Sequence, residues 1–207
     1  LLRTADGGDT WRDRPEGARR DNHALATHPD APERVYAAAG DGYAQSADGG
    51  DTWVYPQAGL DHRYVWSVAA PRSDPDTVVV AAASGPHRAH SSENAEAFVY
   101  RTTNAGDAFA GARDTAEDAR DTAEGAGVTA EDADSVRWER VTDELPDPAG
   151  TVRTALAAGS GATLYGLNNR GLYRSSDAGA TWERVPVEWP AEFESQTPQG
   201  LVVATDE

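Results

Sequence analysis

Ser46-Ala47-Asp48-Gly49-Gly50-Asp51-Thr52-Trp53 is the stretch that decides the fold, because the chain repeats it. It occurs as Thr4-Ala5-Asp6-Gly7-Gly8-Asp9-Thr10-Trp11 and as Ser175-Ser176-Asp177-Ala178-Gly179-Ala180-Thr181-Trp182. A worn copy reads Thr102-Thr103-Asn104-Ala105-Gly106-Asp107-Ala108-Phe109. Self-similarity of this kind is the mark of stacked units, none of which buries its apolar face alone. Each copy follows a short apolar or aromatic run, such as Phe98-Val99-Tyr100-Arg101 or Leu172-Tyr173-Arg174, and so reads as a strand entering a hairpin. Within the turn the Asp carboxylate can accept backbone N–H groups, as Asx turns do. The Gly supplies a positive φ, and the Trp opens the returning strand with a large body to bury between units.

The spacing extends this to whole units. Asp6 to Asp48 is 42 positions, which suits one four-stranded propeller blade. Asp48 to Asn104 is 56 and Asn104 to Asp177 is 73, so two insertions are expected. One covers 84–97. The other covers 109–137, an acidic, Ala-rich tandem heptad that reads as a solvated, partly disordered excursion. Without those 29 residues the last interval is 44, and Trp138-Glu139-Arg140-Val141 resumes what Trp182-Glu183-Arg184-Val185 shows uninterrupted. The expected organisation is a partial blade at 1–20, blades at 21–57, 62–146 and 150–188, and a partial blade at 192–207 whose first strand is 200–205. Strands are expected at 23–27, 34–39, 64–70, 77–83, 152–158 and 163–167, where Val, Tyr and Ala dominate between turn residues. Both ends fall mid-blade, and the expected parent has six to eight blades.

The phrase resembles the Asp-box, or BNR repeat, of β-propellers in the sialidase, xyloglucanase and sortilin-like superfamily. The lead His28-Pro29-Asp30-Ala31-Pro32, followed by Val35-Tyr36-Ala37, is most similar to the branch holding xyloglucanases, sortilin and photosystem II assembly factors. The resemblance covers nearly all of the chain outside the two insertions. It implies an all-β propeller, or a fragment of one, with Asp-boxes on the turns between third and fourth strands. In it Asp6, Trp11, Asp48, Trp53, Asn104, Phe109, Asp177 and Trp182 are fold determinants, not catalysts. An EF-hand reading fails for want of the bidentate Glu at the twelfth loop position.

All 18 basic residues are Arg, against 35 acidic ones, for a net charge of −17; Lys, Ile, Met and Cys are missing. Such a composition resembles proteins of salt-loving microbes, haloarchaea among them. The negative field disfavours nucleic acid and anionic membranes as partners. No run of 18 apolar residues is present, so no membrane insertion is expected, and the sequence assigns no compartment. Without Cys there are no disulfides.

In a meander, the connections between second and third strands share one rim with the connections between blades. That rim is expected to carry Asp61, His62, Arg63 and Tyr64 with His87, Arg88 and His90 of the first insertion. Asp41, Arg153 and Arg170 belong to the same rim on neighbouring blades. Cationic and His side chains on an acidic protein suit an anionic or polar ligand such as a sugar acid. His87-x-x-His90 lacks an adjacent third ligand, so neither metal nor cofactor is expected. Two functions are compatible with the pattern. One is a non-catalytic scaffold for a carbohydrate or protein ligand. The other is a glycoside hydrolase, sialidase-like or xyloglucanase-like, or a fragment of one. A sialidase would need an Arg-Ile-Pro signature that a chain without Ile cannot carry. A two-carboxylate hydrolase would need paired acids across a cleft, for which Asp61 and Asp41 are the first candidates.

Overall fold

The computed structural model describes residues 1–13, 17–109 and 135–204. Strands β1 (Leu2–Arg3) and β2 (Arg12–Asp13) form a hairpin. A second sheet runs β3 (Asn22–His28), β4 (Ala31–Ala39), β5 (Gly42–Ser46), with Val54 bridging to Gln45 as the trace of a fourth strand. A third sheet is β6 (Tyr64–Ala69), β7 (Val78–Ala83), β8 (Ala97–Thr102), β9 (Glu139–Val141). The fourth is β10 (Ala155–Ala158), β11 (Leu164–Asn168), β12 (Gly171–Ser175), β13 (Glu183–Arg184). Each sheet is an antiparallel meander, and β6 lies against both β3 and β10, so the first strands of successive sheets gather together. This is the blade architecture expected of a propeller.

Every residue of Val78–Ala83 is buried, and the stacking explains it. Val78 and Val80 pack with Tyr36 and Tyr43 of the second sheet, whereas Val79 and Ala81 pack with Leu164, Tyr173 and Trp182 of the fourth. A strand covered on both faces loses the apolar–polar alternation of a half-buried one. Trp53, Trp138 and Trp182 are all buried, each against the preceding unit.

The repeated turns are closed by one set of hydrogen bonds. The Ser46 hydroxyl donates to Asp48 at 2.7 Å and accepts the Gly50 N–H at 2.8 Å. Asp48 accepts the Thr52 N–H at 2.9 Å and its hydroxyl at 2.6 Å, and Trp53 Nε1–H reaches the Gly50 carbonyl at 3.1 Å. Thr4–Trp11 and Ser175–Trp182 repeat the pattern. Two successive left-handed residues make it possible, Gly49 at φ 67° and Gly50 at φ 91°. Burial would raise the Asp48 carboxyl, but the donors on Thr52 and Ser46 outweigh it and hold the group below its ordinary range.

Three expectations are corrected. The third turn closes on Trp138, not Phe109: Asn104 Oδ1 accepts the N–H of Arg137 at 3.3 Å, as Asp48 accepts that of Thr52. Asn104 Nδ2 also donates to Asp107 and to the Ser135 carbonyl, so the turn is split and the chain between 109 and 137 is spliced into it. Phe109 is instead buried with Val54, Ala108 and Val136. The strand expected from 152 begins at Ala155, because the N–H groups of Val152 and Arg153 go to Asn169 Oδ1 and the Ala89 carbonyl. Residues 201–204 form no strand: no described strand pairs with them, and Val202 is 90% exposed. The expected excursion falls almost wholly at 110–134, outside the described residues.

Candidate functional site

Two β-bulges build the site. In β3 the pairing steps from Asn22↔Ala39 to Ala24↔Ala38, and in β6 from Val65↔Ala82 to Ser67↔Ala81. His23 and Trp66 are the extra residues, at equivalent places in neighbouring blades. Bulges re-aim a side chain and recur beside functional sites. These two rings meet at a centroid distance of 4.6 Å, and Tyr64 lies 4.9 Å from His23.

Three further residues converge on them. Helix α1 (Pro86–His90), within the first insertion, places His90 edge-on to Trp66 at 5.0 Å. Arg153, diverted from the start of β10, lays its guanidinium over the Trp66 ring at 3.7 Å. Its Nε–H donates to His90 Nδ1 at 3.0 Å and its Nη1 to the Pro198 carbonyl at 2.7 Å. Because Arg only donates, His90 Nδ1 is an acceptor. Neutral His90 therefore carries its proton on Nε2 and donates it to the Tyr64 oxygen, 3.0 Å away. Asp21 closes the group, 3.5 Å from His23 Nε2, while His23 Nδ1–H donates to the Val65 carbonyl at 2.8 Å.

The electrostatics follow from this geometry. Burial, then the positive charge of Arg153, holds the His90 pKa below its ordinary value. Burial also lowers Arg153 and raises Tyr64, the latter with help from Asp21. Arg153 is only 4% exposed, yet it forms no ion pair among the described residues. With Nε and Nη1 engaged, Nη2 is a donor edge that no described residue takes up.

Of the expected rim residues, Tyr64, His90 and Arg153 come together here. His62 belongs to a second group: it stacks on Phe98 at 3.6 Å, bonds the Tyr100 hydroxyl, and has Arg140 on the far face of Phe98 at 4.4 Å. Phe98 and Arg140 also line a cavity of about 370 Å³ with Leu145, Asp147, Thr154 and Asn168. Arg170 pairs with Glu194 at 3.3 Å and Asp41 with Arg19 at 3.2 Å. Arg88 turns to the Asn94 carbonyl, and Asp61, Arg63 and His87 are exposed. His87 and His90 do not form a ligand pair, since both His90 nitrogens are engaged. Among the described residues no three His, Cys, Asp or Glu side chains converge as metal ligands. No described helix is long and apolar enough to cross a membrane. Trp66, Phe98, Tyr100 and Arg140 fall in expected strands and are not among the expected rim residues. The i, i+2 spacing of Tyr64 and Trp66 was the one available signal.

Comparison with known proteins defines the fold and no more. No family model matches the chain, and no curated protein matches it by sequence. Among solved structures it is similar to an ancestral GH74 enzyme, with a TM-score of 0.57 and 15% identity over 89% of this chain and 21% of that one. The GH74 xyloglucanase of Xanthomonas campestris aligns with a TM-score of 0.49 and 20% identity, over 79% of this chain and 20% of the enzyme. The GH74 enzyme of Niastella koreensis aligns with a TM-score of 0.35 and 10% identity, over 94% and 35%. The chain thus spans about a fifth of the length of the first two. Together with the four-stranded antiparallel sheets, the first of these likenesses shows an all-β, propeller-type fold.

Proposed function

We propose that this chain is a non-catalytic Asp-box propeller module that binds a carboxylate-bearing saccharide at the Arg153–His90–Tyr64 cluster. One observation carries the reading: a buried guanidinium with no carboxylate partner among the described residues, in a protein rich in carboxylates. Burying a charge without a counter-charge is costly, and an anionic ligand facing Nη2 removes that cost. The Tyr64 hydroxyl, whose oxygen already accepts from His90, keeps its own proton to donate. The half-buried Tyr64 and Trp66 rings supply apolar surface for a sugar face.

Calorimetric titration in molar KCl with a glucuronate-containing oligosaccharide and its neutral counterpart tests this. The acidic ligand should bind more tightly, because surface charge is screened there while a buried site is screened less. Arg153→Gln should weaken binding roughly tenfold or more, the scale of a lost charge-assisted hydrogen bond. Tyr64→Phe, which deletes one half-buried hydroxyl and leaves the fold, should weaken it less. Equal affinity for both ligands, or affinity unmoved by both substitutions, overturns the reading.

The hydrolase alternative has the fold likeness behind it. Against it, every carboxyl with a displaced pKa among the described residues, namely Asp6, Asp48, Asp51 and Asp177, is displaced downward. A general acid needs the opposite. No reducing sugar should be released from a polysaccharide panel in molar salt; release abolished by Asp61→Ala would establish the alternative.

A further inference from the structure

The rim carries a second station built like the first. In the Arg153 cluster the Trp66 ring has a guanidinium on its face at 3.7 Å and the His23 ring at 4.6 Å, beside the His90–Tyr64 hydrogen bond. In the His62 group the Phe98 ring has the Arg140 guanidinium at 4.4 Å and the His62 ring at 3.6 Å, beside the His62–Tyr100 hydrogen bond. Each station is thus an aromatic ring between an Arg and a His, with a Tyr hydroxyl bonded to an imidazole. Phe98 is buried, so the ring on which Arg140 rests is fixed. Arg140 itself is exposed, and among the described residues it forms neither a hydrogen bond nor an ion pair. A guanidinium held by an aromatic ring keeps its N–H donors for an anion.

One cavity joins the neighbourhoods of the two stations. Tyr64 lies on β6 and Arg140 on β9, three strand spacings apart, or about 14 Å. Phe98 and Arg140 line the cavity of about 370 Å³, and so do Thr151 and Thr154, which stand on either side of Arg153 in the chain. The polar groups along it suit neutral hydroxyls. Thr151 donates to the Asp147 carbonyl at 2.6 Å and keeps its lone pairs. Thr154 accepts from Asn168 Nδ2 at 3.3 Å and keeps its proton. Asp147 is the one carboxylate among the lining residues; its Oδ1 accepts the Ala149 N–H at 2.9 Å, which leaves Oδ2 to accept from a ligand hydroxyl. Val99, Val141 and Leu145 add apolar wall, as a sugar ring requires.

We infer that the ligand is a chain of uronate units and not a single acidic sugar: one carboxylate meets Arg153, a second meets Arg140, and hydroxyls between them meet Thr151, Thr154 and Asp147. The inference rests on the acidic-saccharide reading of the Arg153 cluster and adds to it a second anionic subsite and a polymeric ligand. The two guanidinium groups stand further apart than one monosaccharide reaches, so a single unit engages one station at a time. A chain that engages both makes its second contact intramolecular, and its affinity grows with length although neither contact tightens.

Calorimetric titration in molar KCl with glucuronate and its oligomers up to the hexamer tests this. Affinity should rise with length, the hexamer binding roughly tenfold or more tightly than the monosaccharide. Arg140→Gln should cancel most of that gain, and Arg140→Glu should cancel all of it by repelling the second carboxylate. Arg153→Gln should weaken monosaccharide and hexamer alike. Because Arg140 is exposed, the circular dichroism and thermal transition of its variants should match those of the unsubstituted protein. Monosaccharide binding that Arg153→Gln removes, with no gain from length or with a gain that survives Arg140→Glu, overturns this inference and leaves the Arg153 reading standing. Hexamer affinity that neither Arg153→Gln nor Arg140→Gln moves overturns both. Hexaglutamate bound as tightly as hexaglucuronate overturns the saccharide assignment in favour of an acidic peptide.

Discussion

Arg153 fixes both the tautomer and the charge of His90, and the consequence is directional. Because the folded protein holds the His90 pKa below its ordinary value of 6.5, the unfolded chain takes up the proton first as pH falls. The stabilising contribution is therefore present above the ordinary His range and fades as pH drops from there through the folded pKa. Proton NMR of the imidazole in molar salt should show His90 titrating below an ordinary His. Arg153→Gln should move the midpoint upward, since it deletes the neighbouring positive charge; an unchanged midpoint would separate the two residues. Within the repeat turn, Asp48→Ala should cost about 1–3 kcal/mol, the scale for a partly buried hydrogen-bonded group, read from urea unfolding. The half of the site that sequence reveals is the half on connections: Tyr64, His90 and Arg153 stand where blade-to-blade and second-to-third-strand connections must share a rim. Trp66 is hidden because a bulge spoils period-two counting and leaves no residue signature, whereas His23 belongs to the stretch 20–23 that sequence already assigns to this rim. Arg63, Arg88 and His87 share the rim but not the site, because a loop's place does not say which way each side chain turns.

The Trp that ends each repeat turn works between elements, so its worth depends on having a neighbour. Trp182→Ala, which empties the space between the third and fourth sheets, should destabilise by about 3–5 kcal/mol. Trp11→Ala, at an exposed position, should cost less than about 1 kcal/mol. Paired denaturant midpoints at low protein concentration test the contrast, and equal losses would contradict it. The eight-residue phrase made the hairpins legible because its chemistry is local: an Asp, a Gly and a Thr close their own turn. The third copy shows where that legibility stops. Its Asn104 half and its Trp138 half lie far apart in sequence; the phrase Trp138-Glu139-Arg140-Val141 points to the resumption, and the Arg137 N–H on Asn104 decides for Trp138 over Phe109. The late start of β10 is of the same kind, since two N–H groups spent on Asn169 and Ala89 cannot also serve a ladder.

At the scale of the molecule, a net charge of −17 on 207 residues sets the response to salt. Carboxylates on the outside repel one another, and the Debye length shrinks from roughly 30 Å at 0.01 M to about 3 Å at 1 M salt. The melting temperature should rise steadily from millimolar to molar KCl, and a flat profile would show that self-repulsion is not limiting. Composition alone yields that expectation, whereas the pairing of Asp51 with Arg3 and Arg12, or of Asp76 with Arg34, needs the stack. The split third turn has a practical corollary. Asp107 and Arg137 are both tied to Asn104, so the described residues on either side of 110–134 are held at a single anchor. The entropy of closing a span grows only with the logarithm of its length. An affinity epitope or a fluorescent peptide exchanged for 110–134 would therefore have its attachment points already tethered, making this a natural port for grafting cargo.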